Sequence, residues 1–307
     1  MTGVGKTIRS LLEMIRFSHT LFALPFALLA AVLAWRLGLA SDPPRAIRGV
    51  DLLGIVLCMV FARSAAMAFN RLLDRDIDAE NPRTKDRHIP AGKLSVAAVT
   101  TFAALTSVGF LLSTTLFWPN WLPLALAAPV LACLMFYSWT KRFTSLAHFW
   151  LGLSLSLAPI AAWIAIRGDV ALAQPDDLIA PFILALGVFC WVAGFDLIYA
   201  CQDADFDRAR GLFSLPAKIG VVNSLRVSAG CHACTVIALA FLPTFYPLLG
   251  TPWWIGVAIA AVLLIYEHLI VKADDLRRVN EAFFYVNSYI SVGLLIVGLI
   301  DWWVQGR

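Results

Sequence analysis

Two segments of the chain repeat one spacing of acidic residues, with an aspartate at every second position. The members are Asp74, Asp76 and Asp78 in the first segment and Asp203, Asp205 and Asp207 in the second. Each segment leads into a proline followed within three residues by a lysine, so the repeat extends beyond the aspartates. This recurrence indicates an internal duplication, in which the two acidic segments are pseudo-equivalent.

Residues four apart share one face of a helix, so the spacing places a line of polar side chains on one face of each segment. Each such line is called a stripe. The stripes consist of Asn70, Asp74 and Asp78, and of Asp203 and Asp207. Two facing carboxylate stripes repel each other unless cations lie between them. Mg²⁺ prefers oxygen ligands and typically takes one or two carboxylates together with substrate phosphates. We therefore predict that these five residues hold Mg²⁺, whereas Asp76 and Asp205 balance nearby arginines on a solvated surface.

The elements that must position these residues are apolar. The 307-residue chain is 60% hydrophobic and 14% charged, whereas soluble domains carry roughly 45–50% apolar and about 25% charged residues. A lipid bilayer is the solvent that fits this composition. No basic run with interleaved aromatic residues is present, so nucleic acid is not an expected partner. We interpret residues 1–307 as one membrane domain.

Nine apolar runs approach the roughly 20 residues that a membrane-spanning helix requires. They cover residues 17–36, 51–69, 95–117, 121–139, 146–166, 178–200, 225–247, 253–271 and 283–304. Tryptophans stand at the ends of several runs, as in interfacial belts; these are Trp118, Trp121, Trp253, Trp254, Trp302 and Trp303. The expected fold is an all-α integral membrane bundle of about nine transmembrane helices, built from two pseudo-equivalent four-helix units plus one helix.

Most of the 24 Lys and Arg residues fall in the segments on one side of this topology, which is the side of the N-terminus and of both acidic segments. Basic residues concentrate on the cytoplasmic side of membrane proteins. We therefore expect a multi-pass protein of the plasma (inner) membrane with its acidic segments facing the cytoplasm.

Two long motifs resemble those of the UbiA prenyltransferase family. Residues 70–90 are similar to its N-x-x-x-D-x-x-x-D motif, including the tail R-T-x-x-R-x-x-P, and residues 196–220 to its Y-x-x-x-D-x-x-x-D motif. The stretch 137–144 resembles the loop between the family's helices 4 and 5. Where many members have Asp after the asparagine of the first motif, this chain has Arg71.

The resemblance implies nine helices around a central cavity and a Mg²⁺-dependent transfer of a polyprenyl group from polyprenyl diphosphate to an aromatic acceptor. Stretches 16–27 and 194–207 are similar to the quinone-biosynthesis branch of the family. Two acceptors remain open at this point, namely 4-hydroxybenzoate for ubiquinone and the precursor of the futalosine route to menaquinone.

Within this framework Asp196 and Tyr199 are the predicted catalytic residues. Tyr199 opens the second motif, and Asp196 lies deeper in the same apolar helix, where a carboxylate is costly and functional by default. Asp196 would orient or deprotonate the acceptor hydroxyl. The alternative interpretation makes Asp196 a structural partner of Arg63 or Arg16.

Five basic residues are candidate contacts for the diphosphate or the acceptor: Arg16, Arg63, Lys93, Lys141 and Arg142. For Arg16 and Arg63 the alternative is a snorkelling residue at a helix end. For Lys93, Lys141 and Arg142 the alternative is a positive charge that only sets the orientation of the protein in the membrane. His19 and His148 are interpreted as structural or capping residues.

Two other classes of membrane protein share some of these features. A transporter with internal repeats would carry intramembrane charges, but it would not need two Mg²⁺-suited stripes on the same side. A CDP-alcohol phosphotransferase would need a D-G-x-x-A-R stretch before its aspartates, which this sequence lacks.

Overall fold

A computed structural model describes residues 3–15 and 22–306, which form helices joined by short connections. In chain order the helices are α1 (Gly3–Met14), α2 (Leu24–Leu39), α3 (Gly49–Leu73), α4 (Arg75–Glu80), α5 (Val96–Thr114), α6 (Leu122–Thr140), α7 (Ala147–Ala173), α8 (Ile179–Ala200), α9 (Ala204–Arg210), α10 (Leu215–Ile219), α11 (Val221–Phe245), α12 (Thr251–Ile270), α13 (Val279–Glu281) and α14 (Asn287–Gln305). A π-helical turn, Ala282–Val286, joins α13 to α14.

Eight spans among the described residues are long and apolar enough to cross a membrane, and α2 is a shorter apolar helix. Together they fall on the nine predicted runs, so the predicted all-α membrane fold is confirmed. Large apolar side chains such as Leu105 and Leu269 remain about two-thirds exposed on the outer faces of these helices, at 65% and 66%. Such surface suits lipid rather than water.

The helix order agrees with the predicted duplication. One unit comprises α3, α5, α6 and α7, the other comprises α8, α11, α12 and α14, and α2 is the additional helix. The first helix of each unit packs along the second, α3 on α5 and α8 on α11. Helix α8 runs through the centre of the bundle, where Trp191 and Phe195 are fully buried.

A buried ion pair fastens α2 to α14 at the end of the bundle opposite to the acidic motifs. Arg36 Nη1 lies 2.9 Å from Asp301 Oδ1, and the Asp301 side chain is completely buried. The other oxygen of Asp301 accepts hydrogen bonds from the backbone N–H groups of Gly250 (2.8 Å) and Trp253 (3.2 Å). The first and last apolar helices are therefore joined to each other and to the start of α12.

Of the six tryptophans predicted for the membrane interfaces, Trp302 is half-buried, and the other five are either exposed or fully buried. Trp118, Trp121, Trp254 and Trp303 are exposed, as interfacial residues should be. The prediction is wrong for Trp253, which is fully buried and donates a hydrogen bond from Nε1 to the carbonyl of Leu239 (3.0 Å). Its place at the start of α12 turns it toward the core rather than toward lipid.

Candidate active site

Both acidic motifs interrupt their helices at the equivalent aspartate. Asp74 separates α3 from α4 with φ −89° and ψ 1°, and Asp203 precedes α9 with φ −102° and ψ 2°. This bridge region of backbone space is sparsely populated and recurs at active sites. Hydrogen bonding continues across the first break, because the Asp78 N–H donates to the Asp74 carbonyl at 2.7 Å. The predicted continuous stripe is thus replaced by two matching breaks.

Asp74 is the most enclosed member of the first motif. Its carboxylate accepts hydrogen bonds from Lys141 Nζ at 2.7 Å and from Arg142 Nη2 at 3.1 Å. Asn70 Nδ2 donates to the same carboxylate at 3.0 Å and to Ser138 Oγ at 3.3 Å. The loop after α6 therefore supplies two cations directly to the first motif.

Asp78 is held by the tail of its own motif. Both of its carboxylate oxygens accept from Arg87 Nη1, at 2.6 and 2.8 Å. Thr84 Oγ1 donates to the Asp78 carbonyl at 3.1 Å, and Arg71 lies 4.0 Å from the carboxylate. Arg71, the residue at which this chain departs from the family pattern, consequently adds a cation beside Asp78.

The same tail also reaches the second motif. Arg83 Nε donates to Asp203 Oδ1 at 2.8 Å, its Nη2 pairs with Asp203 Oδ2, and its Nη1 donates to the Tyr199 hydroxyl at 2.8 Å. Burial acts to lower the pKa of the Arg83 guanidinium, but the hydrogen bond and charge of Asp203 raise it above its ordinary value. Arg83 is therefore a permanent cation that links the first motif to the second.

Lys141 provides a further connection between the two motifs. Its ammonium binds Asp74 and also interacts electrostatically with Asp207. Its carbonyl accepts a hydrogen bond from Phe213 N at 2.8 Å. The chain reaches Phe213 through Gly211, whose φ of 66° is a left-handed conformation that favours glycine at a helix C-terminus. The loops after α6 and α9 thus form one polar cap over both motifs.

Asp196 lies below this cap in α8 and contacts a histidine. His148 Nδ1 is 2.7 Å from Asp196 Oδ2, and the Leu215 backbone N–H donates to His148 Nε2 at 3.4 Å. His148 is buried, whereas Asp196 keeps some exposure. Among the described residues no ion pair joins Asp196 to Arg63, so nothing supports the alternative in which these two residues form a structural pair.

The remaining sequence-predicted residues are distributed as follows. Lys93 is exposed, and the described residues show no ion pair between it and either motif. Arg16 and His19 lie outside the described residues. Asp76 and Asp205 are 85% and 99% exposed at their side chains and pair with Arg75 and Arg208. Their position agrees with the solvated surface predicted from the spacing.

Sequence reasoning assigned no contact with the motifs to four residues that make one. These are Arg71, Arg83, Arg87 and His148. A signal existed for Arg83 and Arg87, because they are the two arginines of the R-T-x-x-R tail. Arg71 and His148 belong to no pattern that assigns them a partner.

The donor set fits Mg²⁺. Four carboxylates and the side-chain amide of Asn70 offer hard oxygen ligands, with no thiol or imidazole among them. Across the described residues no three His, Cys, Asp or Glu side chains lie close enough together to hold one cation. Each motif instead offers one or two carboxylates, which is the number that Mg²⁺ takes when substrate phosphates complete its coordination.

The bundle contains two cavities, of which the first adjoins the second motif. One of about 950 Å³ lies beside Tyr199, between α12 and the segment that carries Phe283 and Tyr289. The other, of about 350 Å³, is almost wholly apolar and lies between α3, α5, α6 and α7, with Met59 and Leu157 in its wall. Its lining suits a hydrocarbon chain.

A helical membrane bundle whose paired acidic motifs are each bound by arginine or lysine is the architecture of an intramembrane enzyme. The model of the UbiA prenyltransferase family matches residues 23–289. The chain belongs to this family and is a polyprenyltransferase. The transporter and CDP-alcohol phosphotransferase alternatives are therefore set aside.

Curated relatives cover most of the chain. The 4-hydroxybenzoate octaprenyltransferase of Vibrio parahaemolyticus is 30% identical over 80% of this chain and 84% of its own length. The protein of the same name from Cupriavidus pinatubonensis is 30% identical over 82% of this chain and 84% of its own.

Solved structures share the fold. The apo structure of a UbiA homolog from Aeropyrum pernix K1 superposes with a TM-score of 0.77 at 29% identity, covering 94% of this chain and 98% of that one. A UbiA homolog from Archaeoglobus fulgidus bound to DMAPP and Mg²⁺ gives a TM-score of 0.70 at 18% identity, with 95% and 98% coverage. At that identity the second likeness concerns the fold alone.

Proposed function

We propose that this protein catalyses the Mg²⁺-dependent transfer of a polyprenyl group from polyprenyl diphosphate to an aromatic quinone precursor, with 4-hydroxybenzoate as the favoured acceptor. The observation that carries the proposal is the pair of acidic motifs joined by Arg83 and Lys141. The names of the curated relatives support the choice of acceptor. The futalosine-route precursor remains the second acceptor to be tested.

In the proposed site the metal is held by residues of both motifs: Asn70, Asp74, Asp78, Asp203 and Asp207. Bound Mg²⁺ would neutralise charge on the diphosphate and so make it a better leaving group. Three cations contact the motif carboxylates and would donate hydrogen bonds to the diphosphate oxygens, namely Lys141, Arg142 and Arg83. Charge-assisted hydrogen bonds of this kind are strong. These cations would stabilise the negative charge that develops as the leaving group departs.

The chemistry is a substitution on the aromatic ring. The bond between the allylic carbon of the prenyl group and the diphosphate oxygen breaks, and its electron pair leaves with the diphosphate. A ring carbon of the acceptor then bonds to the allylic carbon, and the acceptor releases one proton. Asp196 would accept that proton, because His148 holds its carboxylate in place below the motifs and Tyr199 lies one turn nearer the cap.

The prenyl tail would extend from the motifs into the apolar cavity. Met59 in its wall lies 11 residues before Asn70 on α3, which corresponds to roughly 16 Å along the helix. The side chains that line the cavity are apolar and would shield the tail from water. We further propose that the motifs face the cytoplasm at the plasma membrane, in keeping with the distribution of basic residues.

The experiment is a transfer assay with purified protein, polyprenyl diphosphate and either 4-hydroxybenzoate or the futalosine-route precursor, with products identified by mass spectrometry. We expect a prenylated acceptor in the presence of Mg²⁺, no product after EDTA, and recovery when Mg²⁺ is returned. Undiminished transfer in a metal-free preparation contradicts the metal assignment. Transfer to the futalosine-route precursor alone replaces 4-hydroxybenzoate with that acceptor.

A further inference from the structure

The carboxylates assigned to the metal are bound by cations of the chain itself. Asp203 pairs through both of its oxygens with Arg83, whose Nε lies 2.8 Å from Oδ1 and whose Nη2 contacts Oδ2. Both oxygens of Asp78 accept hydrogen bonds from Arg87 Nη1, at 2.6 and 2.8 Å. In each motif, one carboxylate is therefore neutralised by an arginine.

Asp74 shows the same arrangement with two cations. Lys141 Nζ lies 2.7 Å from its Oδ2, and Arg142 Nη2 lies 3.1 Å from its Oδ1. A metal ion that entered alone would displace such side chains and leave their charge beside its own. Like charges at this distance repel strongly in a partly buried site, and Mg²⁺ also gives up its water reluctantly. The carboxylates by themselves are therefore a weak site for the metal.

The four cations that bind the motifs are more accessible than the carboxylates. Their side chains are 26–32% exposed, whereas the side chains of the three carboxylates that they bind are 3–18% exposed. The cations therefore cover the carboxylates, and an anion that reaches the polar cap meets the cations first.

A diphosphate can release the carboxylates from these cations. Guanidinium groups pair with phosphate oxygens in the same bidentate geometry that they use with carboxylates. When the cations turn to the diphosphate, they free carboxylate oxygens. Mg²⁺ is typically held by one or two carboxylates together with substrate phosphates, so the anion both brings ligands for the metal and makes ligands of the protein available.

We infer that the diphosphate completes the metal site: the four cations hold the motif carboxylates until a diphosphate binds them, and Mg²⁺ then binds together with it, an inference that rests on the proposed function. Arg83 decides the exchange at the second motif, since among the described residues it supplies the only ion pair of Asp203. The affinities for metal and diphosphate are then coupled, and each ligand strengthens the binding of the other.

The test measures metal binding rather than turnover. Mn²⁺ stands in for Mg²⁺ because it favours the same oxygen ligands, and inorganic pyrophosphate stands in for the donor. Bound Mn²⁺ is counted on immobilised wild-type protein as a function of the free Mn²⁺ concentration, with and without pyrophosphate. Linked sites typically change each other's affinity by about 5- to 150-fold, and we expect pyrophosphate to raise the affinity for Mn²⁺ within that range.

Variants of Arg83 separate the exchange from a general effect of charge. Arg83→Gln frees Asp203, so it should bind Mn²⁺ without pyrophosphate at least about fivefold more tightly than the wild type and gain less when pyrophosphate is added. Arg83→Lys keeps the charge and should stay closer to the wild type. The control Arg75→Gln removes an exposed cation that pairs with Asp76 and should change the affinity by no more than about twofold.

Two further variants locate the metal and guard against misfolding. The double variant Arg83→Gln with Asp203→Asn should lose the gain in affinity, because the freed carboxylate is gone. If Arg83→Gln does not fold, Arg87→Gln gives the same comparison at Asp78, whose two oxygens it releases.

Either of two results would overturn the exchange. One is a wild type that binds Mn²⁺ as tightly without pyrophosphate as with it, and the other is an Arg83→Gln variant that gains no more affinity than Arg75→Gln. Prenyl transfer that requires Mg²⁺ would leave the proposed function standing in both cases. Coupled binding of Mn²⁺ and pyrophosphate in a protein that prenylates neither acceptor would support the exchange and reject the proposed function.

Discussion

His148 Nδ1 lies 2.7 Å from Asp196 Oδ2, which joins α7 to α8 directly beneath the polar cap. The Leu215 backbone N–H points at His148 Nε2, so this nitrogen is the acceptor and the proton is on Nδ1, from which it is donated to Asp196. The histidine interpreted from sequence as structural or capping is thus the residue that fixes the orientation of the proposed base.

We predict that Asp196→Asn binds polyprenyl diphosphate normally but transfers the prenyl group at least about 100-fold more slowly, as expected for loss of a general base. Asparagine can still accept the hydrogen bond from His148, so the fold should be preserved. Turnover, donor binding and thermal stability are measured on the same preparation. Transfer at the wild-type rate excludes Asp196 from the chemistry.

Two variants of His148 can distinguish a role in positioning Asp196 from a role in stabilising the fold. His148→Gln retains a donor for Asp196 and an acceptor for the Leu215 N–H, so it should keep more activity than His148→Leu, which has neither. Both should bind the donor. Equal activity in the two variants argues against a positioning role for His148.

Each acidic motif should contain an aspartate that is essential for prenyl transfer and, two residues further on, one that is dispensable. Asp74→Asn and Asp203→Asn should each lower transfer by roughly 100-fold or more, because each removes a ligand charge from the proposed metal site. The matched controls Asp76→Asn and Asp205→Asn lie two residues away with exposed carboxylates, and they should remain within about twofold of the wild type. Comparable losses in all four variants would indicate a general effect of charge near the cap.

Membrane orientation can be tested with two exposed positions on opposite sides of the bundle, Lys85 and Asp176. In a cysteine-free background, an impermeant thiol reagent should label Asp176→Cys in intact cells and Lys85→Cys only after permeabilisation. This follows from the concentration of basic residues on the motif side. The reverse labelling pattern would place the motifs outside the cytoplasm.

The buried Arg36–Asp301 pair should contribute strongly to stability. Asp301→Ala leaves Arg36 buried without a partner, and breaking such a pair costs roughly 3–5 kcal/mol. The exposed pair Arg45–Asp169, with side chains 42% and 61% exposed, serves as the control, because Asp169→Ala should cost no more than about 1 kcal/mol. Thermal unfolding of both variants is measured in the same detergent. Equal losses of stability would contradict the expectation that the buried pair contributes more than the exposed one.

The helices could be predicted from sequence because length and apolar content are local properties that the bilayer selects directly. The acidic motifs could be found for a similar reason, since their spacing repeats within short segments. The breaks at Asp74 and Asp203 could not, because a four-residue interval is equally compatible with an unbroken helix.

Residue pairs that meet across the bundle could not be predicted from sequence patterns. His148 and Asp196 are 48 residues apart and Arg83 and Asp203 are 120 apart, and only packing of the helices brings each pair together. The burial of Trp253 has the same origin, since its neighbours α11 and α14 come from other parts of the chain.

The link between Arg36 and Asp301 also has a consequence for biogenesis. The two residues are 265 positions apart in the chain, so Arg36 enters the membrane long before its partner has been synthesised. The pair closes only when α14 has been inserted beside α2, which makes it one of the last contacts to form during assembly. A chain truncated before Asp301 would retain both acidic motifs yet carry an uncompensated arginine, a defect that membrane quality control can recognise.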